Sequence, residues 1–227
     1  MTAEKAPAVD FDDYADRYEP LLARQLAFFS ADRGYFSDYK VRLLARVVSG
    51  TPGRILDFGC GIGLTLPYLA ARFPASRLAA TDISRRSLEY VARSHPGVEV
   101  VPDGELDSRR FDLVLAAGVF HHVPPALRPG VLARIAGFLI PGGSLCVFEH
   151  NPYNPVTRRL VATCPFDADA RLLSRRHMAG LMGAAGLKPR RAGYCLFFPP
   201  GLAGLARLDP ALAWLPLGGQ YFVLGSR

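Results

Sequence analysis

From residue 54 to residue 150 the chain repeats one pattern, a short apolar run followed by a turn and an amphipathic stretch, and few folds accept it. RILDF (54–58), RLAAT (77–81), VEVV (98–101), FDLVLAA (111–117) and SLCVFEH (144–150) read as buried strands. Between them lie helical stretches from about Leu64 to Phe73, from a Ser84 cap toward Ser94, and from about Pro125 to Phe138. Pro141-Gly142-Gly143 turns the chain into the fifth run. Ser174 starts a further helix that Gly186 ends. Two late runs, AGYCLFF (192–198) and QYFVLGS (220–226), are suited to pair as an antiparallel hairpin around an insertion. The repetition implies an α/β architecture: a Rossmann-like, doubly wound, mostly parallel sheet of seven strands, with helices on both faces and an antiparallel C-terminal strand.

A chain of 227 residues suits one such domain, spanning 1–227. Hydrophobic residues make up 50% and charged residues 21%, enough apolar material for a core. The first fifty residues read as helical. Their aromatic side chains, among them Tyr14, Tyr18, Tyr35, Phe36 and Tyr39, suit a lid over the site or a stripe packed on the sheet. The stretches at about 150–173 and 198–218 read as insertions on the acceptor side. Four scattered cysteines make neither a zinc pattern nor a disulfide framework. The first twenty residues are polar and acidic with no apolar signal core, and no run reaches the roughly 18 apolar residues of a membrane span. The expectation is a cytoplasmic protein. The net charge of +7 is spread over arginine pairs in separate elements, without interleaved aromatics, which argues against a nucleic-acid surface.

In such a sheet the loops after Phe58, Thr81, Ala117 and Glu149 meet around one cleft. The first carries ILDFGCGIG, where Gly59, Gly61 and Gly63 let the backbone turn tightly and a ligand approach closely. A dinucleotide fingerprint wants its third glycine where this chain has Leu64. It also brings a pyrophosphate to the helix terminus, beside which the Asp57 carboxylate would be repelled. An acid at Asp57 suits a ligand with a positive amino group. Asp82 ends the next strand about 20 residues on, where a carboxylate can accept both ribose hydroxyls.

The order DFGCGIG, TDIS, FDLVLAAGVFHHV, LIPGGSLCVFE resembles the class I S-adenosylmethionine-dependent methyltransferases over about residues 50–150. The resemblance implies S-adenosylmethionine as cofactor. It implies that Asp57, Gly59 and Gly61 hold the methionine part and that Asp82 holds the ribose. It also places Ile83 on the adenine, Asp103 at the adenine amino group and Ala117 in the cofactor wall.

Candidates for the acceptor side are His122, His150 and Glu149. Histidine is a natural general base because its ordinary pKa of about 6.5 lies near working pH. His121 shares the turn with His122. The stretch EHNPYNPVTRR (149–159) should be a rigid loop, since Asn-Pro pairs favour turns, and its Asn151, Tyr153 and Asn154 could contact an acceptor. The insertion around Trp214 is apolar and suits an acceptor pocket, a homodimer face or a membrane surface. The expected partner is a small-molecule methyl acceptor, for instance a sugar-linked or natural-product intermediate. The alternatives are an RNA methyltransferase and a non-methylating enzyme or binding protein that uses the same pocket.

Overall fold

The computed structural model describes residues 34–227, apart from the side chain of Phe166. Among the described residues, seven strands form one sheet: β1 (Arg54–Phe58), β2 (Arg77–Thr81), β3 (Glu99–Val100), β4 (Phe111–Ala117), β5 (Leu139–His150), β6 (Lys188–Cys195) and β7 (Gln220–Ser226). Their spatial order is β3-β2-β1-β4-β5-β7-β6, and only β7 runs against its neighbours. The order reverses between β1 and β4, which places a cleft over the carboxyl ends of those strands.

Both faces of the central strands are buried, which is why those strands read as largely apolar runs. Along β4, Val114 and Ala116 join one core while Leu113 and Leu115 join the other. The first core is covered by α4 (Arg128–Phe138) through Leu132, Ile135 and Phe138, and by α6 (Arg175–Ala184) through Met178 and Met182. The second is covered by α1 (Tyr35–Val47), α2 (Leu66–Arg72) and α3 (Arg85–Ser94). Ser84 caps α3 and Ser174 caps α6 by accepting from Ser87 N–H and His177 N–H, as the sequence suggests. All four cysteines are buried and unbonded to one another.

Three segments depart from the sequence expectation. β5 starts at Leu139, because Pro141-Gly142-Gly143 makes an irregularity within the strand rather than a turn before it. β6 ends at Cys195, and Leu196, at φ +59°, swings the chain out of the sheet. Leu196, Phe197 and Phe198 line the cavity instead of extending the strand. The stretch after His150 is a helix rather than a loop, α5 (Pro155–Thr163). Asn154 accepts from Thr157 N–H as its cap, and Pro155 takes the first turn, where its missing N–H costs nothing. The later insertion contains a 3-10 segment, Pro200–Leu208, and the short helix α7 (Asp209–Leu212). Among the described residues, no helix is long and apolar enough to cross a membrane.

Of the helical stretch expected over residues 1–50, α1 lies within the described residues; Tyr14 and Tyr18 fall outside them. α1 has two working faces. Tyr39, Val41 and Leu44 are buried in the second core, whereas Phe36, Ser37 and Lys40 line the cavity. The Tyr39 hydroxyl donates to Asp209, which also accepts from Leu196 N–H at 3.1 Å, tying the late insertion to α1.

Candidate active site

A cavity of about 1000 Å³ opens over the carboxyl ends of β1, β2, β4 and β5. That is at the upper end for a small-molecule site and large enough for two ligands side by side. The loops named from the sequence do converge here: Asp57, Gly59, Gly61, Asp82, Ile83, Asp103, Ala117, His122 and His150 all line it. Glu149 is not in the wall.

The glycine loop is built for close approach. Gly59 has φ +71°, and a Cβ there would lie 2.6 Å from Val119 Cγ2, so the turn tolerates no side chain. Gly61 has φ +52° and nothing within 4 Å of where its Cβ would be. Its N–H donates to Asp82 Oδ2 at 2.7 Å, and Ser84 N–H donates to Asp82 Oδ1 at 2.8 Å. Asp82 is thereby fixed by backbone on both oxygens, and each carboxylate oxygen can accept more than one hydrogen bond. Asp57 is 2% exposed and accepts from the Thr65 hydroxyl. Burial raises its pKa to about 6; the Thr65 bond opposes this, Asp82 adds to it, and Lys40 opposes it. A buried carboxylate held so far above its ordinary range favours the arrival of a cation. Ile83 is 81% exposed beside the loop, an apolar surface that a flat ring would cover. Asp103 opens a 3-10 turn, and Arg134 holds its carboxylate at 2.6 Å. These features fit the ammonium, ribose and adenine of an adenosyl amino-acid cofactor.

A second group of side chains gathers where β4 and β5 end. His121 is 2% exposed and sits between two acids, with Nδ1 2.6 Å from Glu149 Oε2 and Nε2 3.3 Å from Asp167 Oδ1. Burial disfavours its charge, but Glu149 and Asp167 outweigh that and raise its pKa to about 10. Glu149 also accepts from Phe120 N–H at 2.6 Å, so both its oxygens are engaged. Burial pushes the Glu149 pKa up, yet His121 and these hydrogen bonds bring it down to about 2. His150 has the opposite fate: burial first, then the charge of His121, lowers its pKa to about 4. The His122 ring packs against that of His121, tilted by 47° with 4.0 Å between centroids, and its Nδ1 lies 3.2 Å from Asp169 Oδ1. Burial and His121 lower the His122 pKa as well.

Sequence reasoning missed Asp167 and Asp169, which stand in or after the 3-10 turn Pro165–Asp167. Arg171 N–H donates to the His121 carbonyl at 2.7 Å, which docks this segment against the histidine turn. The CPFD string (164–167) carried no recognisable chemistry of its own, and no local signal says which turn it meets. Lys40, on α1, also lines the cavity; burial lowers its pKa while Cys195, Glu149 and Asp57 oppose that. Asn151 is a fastener, and Asn154 both lines the cavity and fastens the same loop. Asn151 Nδ2 donates to the Pro216 and Gly218 carbonyls at 2.9 and 2.7 Å, and Asn154 Nδ2 donates to that of Leu217 at 2.7 Å. Tyr153 is 60% exposed and lies outside the wall.

Comparison with known proteins agrees with this geometry. Residues 56–145 match a family described as methyltransferase domain. The chain is 33% identical over 144 residues to the trans-aconitate 2-methyltransferase of Methylobacterium nodulans, a match covering 59% of this chain and 55% of that one. It is 31% identical over 180 residues to the ribosomal RNA small subunit methyltransferase C of Pseudomonas aeruginosa, covering 71% and 54%. The matches thus span little more than half the length of these relatives. Among solved structures, a SAM-dependent methyltransferase from Archaeoglobus fulgidus superposes with a TM-score of 0.70 at 14% identity, covering 93% of this chain and all of that one.

Proposed function

We propose that this chain, which belongs to the class I S-adenosylmethionine-dependent methyltransferases, methylates a hydroxyl group of a small-molecule acceptor. When bound, S-adenosylmethionine supplies a methyl group activated on a sulfonium sulfur. Asp57 receives its ammonium, Asp82 its ribose hydroxyls and Ile83 its adenine, with Gly59, Gly61 and Ala117 giving the backbone room to seat it. Asp103, held by Arg134, stands at the adenine end.

The observation that carries the acceptor reading is the His122–Asp169 pair in the same cavity wall. With Asp169 accepting from Nδ1–H, Nε2 of His122, which lies 3.5 Å from Asp167 Oδ1, would be the nitrogen that takes the proton. The proton of the acceptor hydroxyl would pass to His122 Nε2, freeing the oxygen's electron pair to bond the methyl group that the bound cofactor would supply. Glu149 acts through another residue: by gripping His121 it positions the turn that carries His122. Holding two reactants at attack distance supplies about 7–11 kcal/mol of such a barrier.

The lining also argues about the acceptor's charge. Among the described residues, the lysine and arginine of the wall are Lys40, whose charge burial disfavours, and Arg134, which Asp103 and Asp107 engage, while the charge on His121 is met by Glu149 and Asp167. Asp167 and Asp169 stand beside the histidines, and Leu160, Val161, Phe197 and Phe198 supply apolar wall. A neutral acceptor with one exposed hydroxyl, such as a sugar-linked or natural-product intermediate, fits this better than a tricarboxylate such as trans-aconitate.

The test is methyl-labelled cofactor incubated with the protein and either a small-metabolite extract or total RNA. Label in a hydroxyl-bearing small molecule supports the proposal, whereas label confined to RNA replaces it. With the acceptor in hand, His122→Gln should lower kcat more than a hundredfold with cofactor affinity nearly unchanged.

A further inference from the structure

Where β5 ends, three ligand-type atoms converge: one ring nitrogen of His121, one of His150 and a carboxylate oxygen of Asp167, all within 4.8 Å of one another. They arrive from three separate segments: the turn after β4, the end of β5 and the 3-10 turn after α5. A divalent ion at ordinary zinc–ligand lengths holds its N and O atoms about 3.0–3.5 Å apart. His121 Nε2 and Asp167 Oδ1 already stand 3.3 Å apart. That pair by itself is an ion pair, and two further observations point past it. His150 Nδ1 is buried with no hydrogen-bond partner among the described residues, although its ring packs 4.9 Å from that of His121. Buried polar atoms are rarely left so, and an unpartnered one calls for an explanation. On the far side, Glu149 grips His121 Nδ1 at 2.6 Å, which leaves Nε2 facing the cluster. A carboxylate on the other ring nitrogen is the support that metal-ligating imidazoles usually receive.

We propose that His121, His150 and Asp167 bind one divalent first-row transition ion in the acceptor part of the cavity. The ion takes the place of the His121 Nε2 proton and gives the orphaned His150 ring a partner. Two imidazoles and one carboxylate suit zinc, iron or manganese better than calcium, which prefers an all-oxygen shell. Three protein ligands leave a position open, as sites that take a further ligand do. A hydroxyl of the acceptor is the class of ligand that fits there. Only that last assignment rests on the methyl-transfer reading.

The experiment uses the full chain stripped with chelator and titrated with zinc by calorimetry, then with cobalt(II) followed by visible absorption. One ion per chain is expected, with cobalt giving the bands of a nitrogen–oxygen site. His150→Ala and Asp167→Ala should each weaken zinc binding at least tenfold, and Glu149→Gln should weaken it by about 10–100-fold. His177→Ala, on the exposed start of α6, should leave it unchanged. Each variant's circular dichroism and its melting shift with S-adenosylhomocysteine are measured alongside, so that a misfolded variant is recognised and replaced by His150→Gln or Asp167→Asn. No zinc binding by the wild type, or binding unchanged in folded His150 and Asp167 variants, overturns the site. Zinc binding without a cofactor shift overturns the methyltransferase reading and leaves the ion site standing.

Discussion

Asp57 and Asp82 are both acids at strand ends, yet their surroundings assign them different work. Asp82 is held by the backbone N–H groups of Gly61 and Ser84, a geometry that presets its oxygens for a pair of hydroxyls. Charge-assisted hydrogen bonds are worth about 1.5–3 kcal/mol each. Asp82→Ala should therefore weaken S-adenosylmethionine binding at least tenfold in calorimetry while the protein stays folded; unchanged affinity would remove Asp82 from the site. Asp57 is buried, and the groups facing it are Thr65, Asp82, Lys40 and Cys60. Its folded pKa of about 6 lies above its ordinary 3.8, so in the free protein it favours the fold at low pH and costs stability as pH rises through that window. A bound ammonium reverses the preference, because it needs the carboxylate ionised. Cofactor affinity should be fully present near pH 7 and weaken by about tenfold by pH 5. Asp57→Asn should be weaker throughout and flat over that range, and a wild-type affinity independent of pH would disconnect Asp57 from the ammonium.

At the scale of elements, the segment from His150 to α5 shows how a polar string can be structural. Asn151 is fully buried and donates to two carbonyls of the loop before β7, while Thr157 donates to a third, that of Gly219, at 2.8 Å. Gly218 passes so close that a Cβ would lie 2.4 Å from the Cys195 carbonyl oxygen. Asn151→Ala leaves the Pro216 and Gly218 carbonyls without that donor, at a cost of about 1–3 kcal/mol. In a chain of this size each kcal/mol lowers the melting temperature by about 2–4 °C, so calorimetry should show a loss of several degrees. A variant as stable as the wild type would mean the loop is held otherwise. None of this was legible beforehand, because Asn151 and its partners lie more than sixty positions apart and Asn-Pro reads equally as a turn or as the start of a helix. The strands β1, β2 and β4 were legible, since burial on both faces writes an unbroken apolar run. β6 was misplaced for the converse reason. Its first five residues are exposed, so the apolar signal began only where the strand was ending.

For the whole molecule, the residues proposed to hold the cofactor could be gathered from the sequence because they sit on consecutive loops of one repeating pattern. The acceptor half could not, because Asp167 and Asp169 reach His121 and His122 only once the segment after β5 folds back. This division predicts how the molecule should respond to ligands. A compound that seats on Asp57, Asp82 and Ile83 bridges β1 and β2, so its binding free energy should stabilise the global fold and not a single loop. At a hundredfold excess over Kd that linkage is worth about 2.7 kcal/mol. At about 2–4 °C per kcal/mol it appears as a rise in melting temperature of roughly 5–10 °C. S-adenosylmethionine and S-adenosylhomocysteine should both produce it, since the shared ammonium, ribose and adenine supply the contacts and the methyl group does not. Nicotinamide dinucleotides should not, because their pyrophosphate would lie against the Asp57 carboxylate at the mouth of the glycine turn. A melting shift with NADH and none with S-adenosylhomocysteine would reverse the assignment of the loop. Zinc, by contrast, ties β5 to the turn after β4 and to the segment beyond α5, which are different parts of the sheet edge from those the adenosyl group spans. The two ligands share a cavity but no protein ligand, so their melting shifts should add when both are present. A shift with both that is no larger than with one alone would mean that they compete for the same groups.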